Sequence, residues 1–208
     1  MVAAQRPERQ KAVNDLKRGL ILDAARKVFE DDGLDGASLR AIAASAGYTA
    51  AALYFHFDSK EAIYAEVLRS SLANLEEAVV RAISRTKSPA DRLRAAAMAF
   101  FRYYAENPRD LDLGFYLFRG GMKPYGLGKE RDAMLNTALK AALHPIYKAA
   151  QGLGAQDDEA KCLMVDTFAH ASGLLLLAHT GRMRMFGVSA LQLMEGFVES
   201  RIAALTQR

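Results

Sequence analysis

Residues 38–60 read SLRAIAASAGYTAAALYFHFDSK, and this stretch decides the fold. Ser38 can cap a helix, because its hydroxyl accepts a free backbone N–H of the first turn. Leu39, Ile42, Ala43 and Ala46 then recur at helical spacing on one face. Gly47 falls where the chain must turn sharply, and glycine enters the left-handed region without steric cost. Thr49 caps a second short helix, over 50–56. Ser59 caps a third, with Glu61 and Glu66 near its positive end. Two short helices across a tight turn form a helix-turn-helix, the motif that places its second helix in the major groove of DNA.

Working outward, the rest of the chain also reads as helix. A long helix covers roughly 8–32, and another covers 59–85 with Ile63, Val67, Leu68, Leu72, Leu75 and Val79 as its stripe. Ser88-Pro89 opens a helix that ends before Asn107-Pro108, since proline suits a first turn. Residues 109–118 read as a short aromatic helix, and 119–127 as a Gly- and Pro-rich loop. Helices at 128–152, 157–180 and 189–206 follow, and Pro145 predicts a kink in the first of these. Strand-like alternation is absent. The fold class is therefore all-α, with an N-terminal three-helix domain over 1–62 and a larger helical domain over 63–208.

Helix 15–32 followed by GLDGASLRAIAASAGYTAAALYFHFDSKEAIYAEVL resembles the DNA-binding domain of TetR-type (tetracycline-repressor-like) transcription regulators. The positions that carry the resemblance are Ile21, Ala24, Ala25, Phe29, Gly33, Leu39, Ile42, Ala43, Ala46, Gly47, Leu53, Tyr54, His56, Phe57, Lys60 and Glu61. It covers about residues 15–70. The remainder agrees in length and helical character.

The charge pattern suits a nucleic-acid partner. Residues 1–27 hold Arg6, Arg9, Lys11, Lys17, Arg18, Arg26 and Lys27 against Glu8, Asp15 and Asp23, an excess that equals the +4 of the whole chain. Beside a helix-turn-helix such a run faces phosphate. A hydrophobic fraction of 51% fills a core. No uninterrupted apolar run reaches the ~18 residues of a membrane span, and the N-terminus has no apolar signal core. The expectation is a cytoplasmic protein without a membrane partner. The single Cys162 cannot form an internal disulfide and reads as a small core residue.

The DNA-reading residues expected from this pattern are Ser38, Arg40, Thr49, Ala50, Ala51, Ala52, Tyr54, His56 and Lys60, with Arg6 and Arg9 on an arm that can enter a minor groove. Three alanines can touch thymine methyls but cannot hydrogen-bond base edges. Specificity then leans on Thr49, Arg40, close backbone approach and DNA shape. The resemblance implies phosphate contacts at Tyr54, His56 and Lys60.

In the larger domain, aromatic residues and methionines gather beside the Gly-rich loop. Phe101, Phe115, Phe118, Met134 and Phe168 are the expected lining of a mostly apolar cavity, and the resemblance implies a small effector there. Helices 157–180 and 189–206 are apolar on more than one side, more than one chain of this size can cover. The resemblance implies that they pair with their copies in a two-fold four-helix bundle, through Leu174, Leu177, Met194, Phe197 and Arg201. No catalytic residues, metal ligands or cofactor are expected, since His144, His170 and His179 are scattered and lack a neighbouring nucleophile. The sequence thus points to a homodimeric repressor, not an enzyme, released from double-stranded operator DNA by an unidentified effector. Two alternatives stay open: a helical small-molecule-binding protein or enzyme whose helix-turn-helix is incidental, and a low-specificity DNA-binding protein.

Overall fold

The computed structural model describes residues 5–115 and 126–207, with side chains from residue 8 onward. Among the described residues the chain is helical throughout: α1 (Gln5–Gly36), α2 (Leu39–Ala46), α3 (Ala50–Tyr54), α4 (Lys60–Ile83), α5 (Pro89–Glu106), α6 (Pro108–Gly114), α7 (Lys129–Gly152), α8 (Asp157–His179) and α9 (Ala190–Thr206). A 3-10 turn at Arg182–Phe186, which the sequence pattern did not suggest, joins α8 to α9. The all-α expectation is met, and most element ends fall within two or three residues of the expected ones.

Local chemistry explains the boundaries. α1 is interrupted at Gly33, where φ is 69° and ψ is −179°, a conformation that a side chain resists. α5 opens with Pro89 in its first turn, and the Ser88 hydroxyl accepts from the Asp91 amide at 3.0 Å. α7 continues through Pro145.

The chain divides into two compact units, residues 1–70 with 112–133, and residues 71–111 with 134–208. α4 therefore runs through both. In the first unit Ile21, Ala25, Phe29, Leu34, Ile42, Leu53, Phe57, Ile63, Tyr64 and Val67 are buried. Phe29 and Tyr64 meet edge to face at 4.8 Å, and the Tyr64 hydroxyl donates to the Leu113 carbonyl at 2.8 Å. That bond satisfies a polar tip inside an apolar core.

In the second unit α5, α8 and α9 pack on one another. Leu93, Ala97, Phe100 and Tyr104 of α5 are buried with Leu163, Ala171, Leu174 and Leu175 of α8 and Met194, Val198 and Ile202 of α9. Phe100 meets Phe168 edge to face at 5.9 Å. One sequence expectation needs correction here. α8 is long and apolar enough, by length and composition, to cross a membrane, with a mean hydropathy of 1.3 over its most apolar window. Asp166 and His170 interrupt its apolar run, but the average over the window stays high. Only 28% of that window is buried within the chain, so α8 carries a broad apolar face that its own chain leaves uncovered.

Candidate nucleic-acid interface

Each turn of the helix-turn-helix is closed by its own polar group. The Ser38 hydroxyl accepts from the Ala41 amide at 3.1 Å. Gly47 adopts φ 73° and returns its amide to the carbonyls of Ala43 and Ala44, ending α2 in the left-handed conformation glycine tolerates best. The Thr49 hydroxyl accepts from the Ala52 amide at 3.2 Å and starts α3. The Ser59 hydroxyl accepts from the Ala62 amide at 3.1 Å and starts α4.

α3 is anchored on one side only. Leu53 is fully buried and Phe57 nearly so, whereas Tyr54 is 61% and Phe55 89% exposed. Thr49, Ala51 and Arg40 are also exposed, and Ala50, Ala52 and His56 are half-buried. Arg18 holds the far end of α3 in place. Its guanidinium lies 4.2 Å over the Phe57 ring, donates to the His56 carbonyl at 2.9 Å, and pairs with Glu66 at 3.4 Å. Sequence reasoning counted Arg18 in the phosphate-facing run. The structure uses it as a brace.

Lys60 has partners within its own chain. Its ammonium donates to the Leu34 carbonyl at 2.8 Å and the Ala37 carbonyl at 3.2 Å, with the Asp35 carbonyl at 3.5 Å. These carbonyls lie at the end of α1 and in the link to α2. Lys60 therefore clamps that link to the first turn of α4, and a phosphate would have to compete with carbonyls for its donors. A shallow cleft of about 500 Å³ does lie here, between Ser38 and Arg40 of the α2 start, Tyr54 of α3, and Asp58 and Ser59 before α4. Arg40 and Tyr54 are its exposed polar side chains suited to phosphate. Arg9 is exposed on the first turns of α1, and the side chain of Arg6 lies outside the described residues.

The expected effector residues fall in both units. Phe101, Met134 and Phe168 belong to the second unit and Phe115 to the first; Phe118 lies outside the described residues. Phe101 is buried as core, Phe115 and Phe168 are half-buried, and Met134 is exposed. A separate groove of about 1010 Å³ runs between α4, α5 and α9 and includes none of them. Ala78, Ala82, Ala95 and Ala99 line it, with ion pairs at its rim. Arg94 binds Glu199 at 2.5 Å and Asp91 at 2.8 Å, and hydrogen bonding to Arg94 holds the Glu199 carboxyl below its usual range. Deeper in the second unit, the Tyr103 hydroxyl bridges the Asp110 carboxylate at 2.5 Å and the Ser71 carbonyl at 3.2 Å. Burial pushes the neighbouring Tyr104 phenol well above its ordinary value.

Two of the five expected dimer residues need correction. Leu174 is 7% and Met194 0% exposed, so both serve the chain's own core and are not offered to a second copy. Leu177 is half-buried. Phe197 stacks on His170 at 4.3 Å with the Arg201 guanidinium 5.0 Å from its ring, and Arg201 pairs with Asp166 at 3.5 Å. Exposed apolar side chains in this region include Val165 and Leu176 on α8, Leu191 and Leu193 on α9, and Met185 and Phe186 of the 3-10 turn. Cys162 is exposed on the same helix, not in the core.

Residues 21–67 match the model of the family described as bacterial regulatory proteins, tetR family. Over 101 residues the chain is 39% identical to the HTH-type transcriptional activator FasR of Mycolicibacterium smegmatis, covering 49% of this chain and 46% of that protein. It is 36% identical over 85 residues to the HTH-type transcriptional repressor KstR2 of Mycobacterium tuberculosis, covering 41% and 42%. The match thus spans less than half the length of these curated relatives. Among solved structures, the transcriptional regulator FadR from Bacillus subtilis in complex with stearoyl-CoA superposes with a TM-score of 0.68 at 17% identity, over 88% of this chain and 96% of that one. A protein of unknown function from Rhodococcus sp. RHA1 gives 0.73 at 22%, over 91% and 95%. At these identities the two structures share the fold.

Proposed function

We propose, since residues 21–67 match the model of the tetR family of bacterial regulatory proteins, that this chain is a sequence-specific DNA-binding transcriptional regulator acting as a homodimer. The observation that carries this reading is α3: capped by Thr49, anchored only through Leu53, and presenting Ala51, Tyr54 and Phe55 outward. A short helix held by one face and bared on the other is what insertion into a major groove requires. Tyr54 takes a phosphate in the cleft at the starts of α2 and α4, where free helix N–H groups add to the attraction. Arg6 and Arg9, at the start of α1, add affinity that falls with salt.

Two copies associate through the apolar face of α8 that its own chain leaves uncovered, around Val165 and Leu176, together with exposed apolar side chains of α9. That pairing sets two reading helices against two half-sites. A small, largely apolar effector bound by the second unit is the regulatory half of the proposal, and its binding lowers operator affinity, so the chain acts as a repressor. The aromatic and methionine content of α5, α7 and α8 supports it, as does the fold shared with a structure that holds stearoyl-CoA. The ligand acts only through its difference in affinity between two states of the dimer. The protein acts in the cytoplasm, on chromosomal DNA, and catalyses no reaction.

One observation favours a second reading, low-specificity binding: Ala50, Ala51 and Ala52 offer no hydrogen-bonding side chain. Footprinting on fragments of the source genome tests the proposal. It should give two protected blocks one or more helical turns apart, and a long-chain acyl-CoA should lift the protection while raising the melting temperature. Uniform protection of all fragments would favour the second reading.

A further inference from the structure

This inference rests on the DNA-binding reading and concerns what the reading surface recognises. At 3.6 residues per turn, Ala51 and Phe55 lie one turn apart and roughly opposite Leu53. Leu53 is fully buried and Phe55 is 89% exposed, so Ala51 and Phe55 mark the outward face of α3. The one hydroxyl at its start, on Thr49, is turned back to accept the Ala52 amide at 3.2 Å. Tyr54, 61% exposed, borders the face. Its centre therefore carries a methyl and a phenyl group and no hydrogen-bonding side chain.

The major-groove edges of base pairs show donors, acceptors and one apolar group, the C5 methyl of thymine. An apolar face laid on a G·C edge strips water from donors and acceptors and returns nothing. Laid on thymine methyls, it buries apolar surface against apolar surface. A phenyl ring left almost wholly in water within the chain gains most from such a contact. We infer that α3 reads its operator through thymine C5 methyl groups, with Ala51 and Phe55 as the specificity-determining residues. Hydrogen-bonded base readout then falls to Arg40, exposed in the first turn of α2, whose guanidinium suits guanine.

The test is selection of bound duplexes by the full chain from three random-sequence pools. One contains the ordinary bases, one has deoxyuridine in place of thymidine, and one also has 5-methylcytosine in place of cytosine. The ordinary pool should yield sites with thymines facing α3. In the uracil pool those positions should lose their preference while guanine positions persist, with affinity falling about fourfold for each contacted methyl. In the third pool 5-methylcytosine should take over the thymine positions, because the preference follows the methyl. Uracil at the same positions with unchanged affinity would overturn the inference and leave DNA binding intact, as would a consensus without thymine. If no duplex is enriched and none binds at low salt, the DNA-binding reading itself fails and the inference falls with it.

Discussion

Replacing Lys60 by methionine keeps the length of the side chain and deletes its charge. The ammonium makes two good hydrogen bonds, at 2.8 Å to the Leu34 carbonyl and 3.2 Å to the Ala37 carbonyl. A bond to a charged group contributes roughly 1.5–3 kcal/mol when sequestered. Lys60 is half-buried, so water can reach part of the clamp, and a total loss of about 1–3 kcal/mol is the reasonable scale. In a chain of this size each kcal/mol lowers the melting temperature by about 2–4 °C. Thermal unfolding followed by circular dichroism should therefore show a fall of about 2–12 °C. A clamp and a phosphate ligand differ in a second readout. Well below the melting temperature, the slope of log affinity against log salt should stay unchanged, whereas losing a phosphate contact would reduce it by about 0.9. Unaltered melting together with a slope reduced by that amount would refute the clamp.

Arg18→Ala removes the stack on Phe57, the bond to the His56 carbonyl and the pair with Glu66. Thermal unfolding should register a loss of about 1–3 kcal/mol, and a melting temperature within a degree of the parent would count against the brace. Val165→Glu should give a folded monomer, because Val165 is 57% exposed, while Met194→Glu, at a position with 0% exposure, should unfold the chain; sedimentation and circular dichroism separate the two outcomes. The Arg94–Glu199 pair is mostly exposed and should contribute under ~1 kcal/mol. Because Arg94 depresses the Glu199 carboxyl, that contribution is present above the ordinary carboxylate range and is lost as pH falls through the depressed value. Arg94→Ala should thus lower stability at neutral pH and lose its effect in acid; an effect that grows on acidification contradicts the assignment. Tyr103→Phe deletes the bridge between Ser71 and Asp110 and should cost about 1–3 kcal/mol in denaturant titration.

What the sequence disclosed is the part of the fold set by neighbours in the chain. Ser38, Thr49, Ser59 and Gly47 act within four residues of themselves, so their types and spacing place α2, α3 and α4. The clamp of Lys60 and the brace of Arg18 were not legible because their partners lie far along the chain: Leu34 is 26 residues from Lys60, and His56 is 38 from Arg18. A lysine or arginine beside a DNA-reading motif has the same composition whether it meets a phosphate or a carbonyl. Leu174 and Met194 were misplaced for a different reason. α8 and α9 are apolar on two sides, and only their phase against α5 decides that Leu174 and Met194 turn inward while Val165 and Leu176 stay outside. Phe55 was legible as an aromatic, but its 89% exposure depends on Leu53 being the anchor of so short a helix.

The central claim is sequence-specific DNA binding by a dimer that reads through α3. Competition between a selected duplex and a random duplex of equal length, at one fixed salt concentration and with the stoichiometry measured in the same titration, tests it most directly. The account predicts two chains per site and a preference of at least ~10³ for the selected duplex. Equal affinity for the two duplexes, or saturation at a single chain per site, would contradict it.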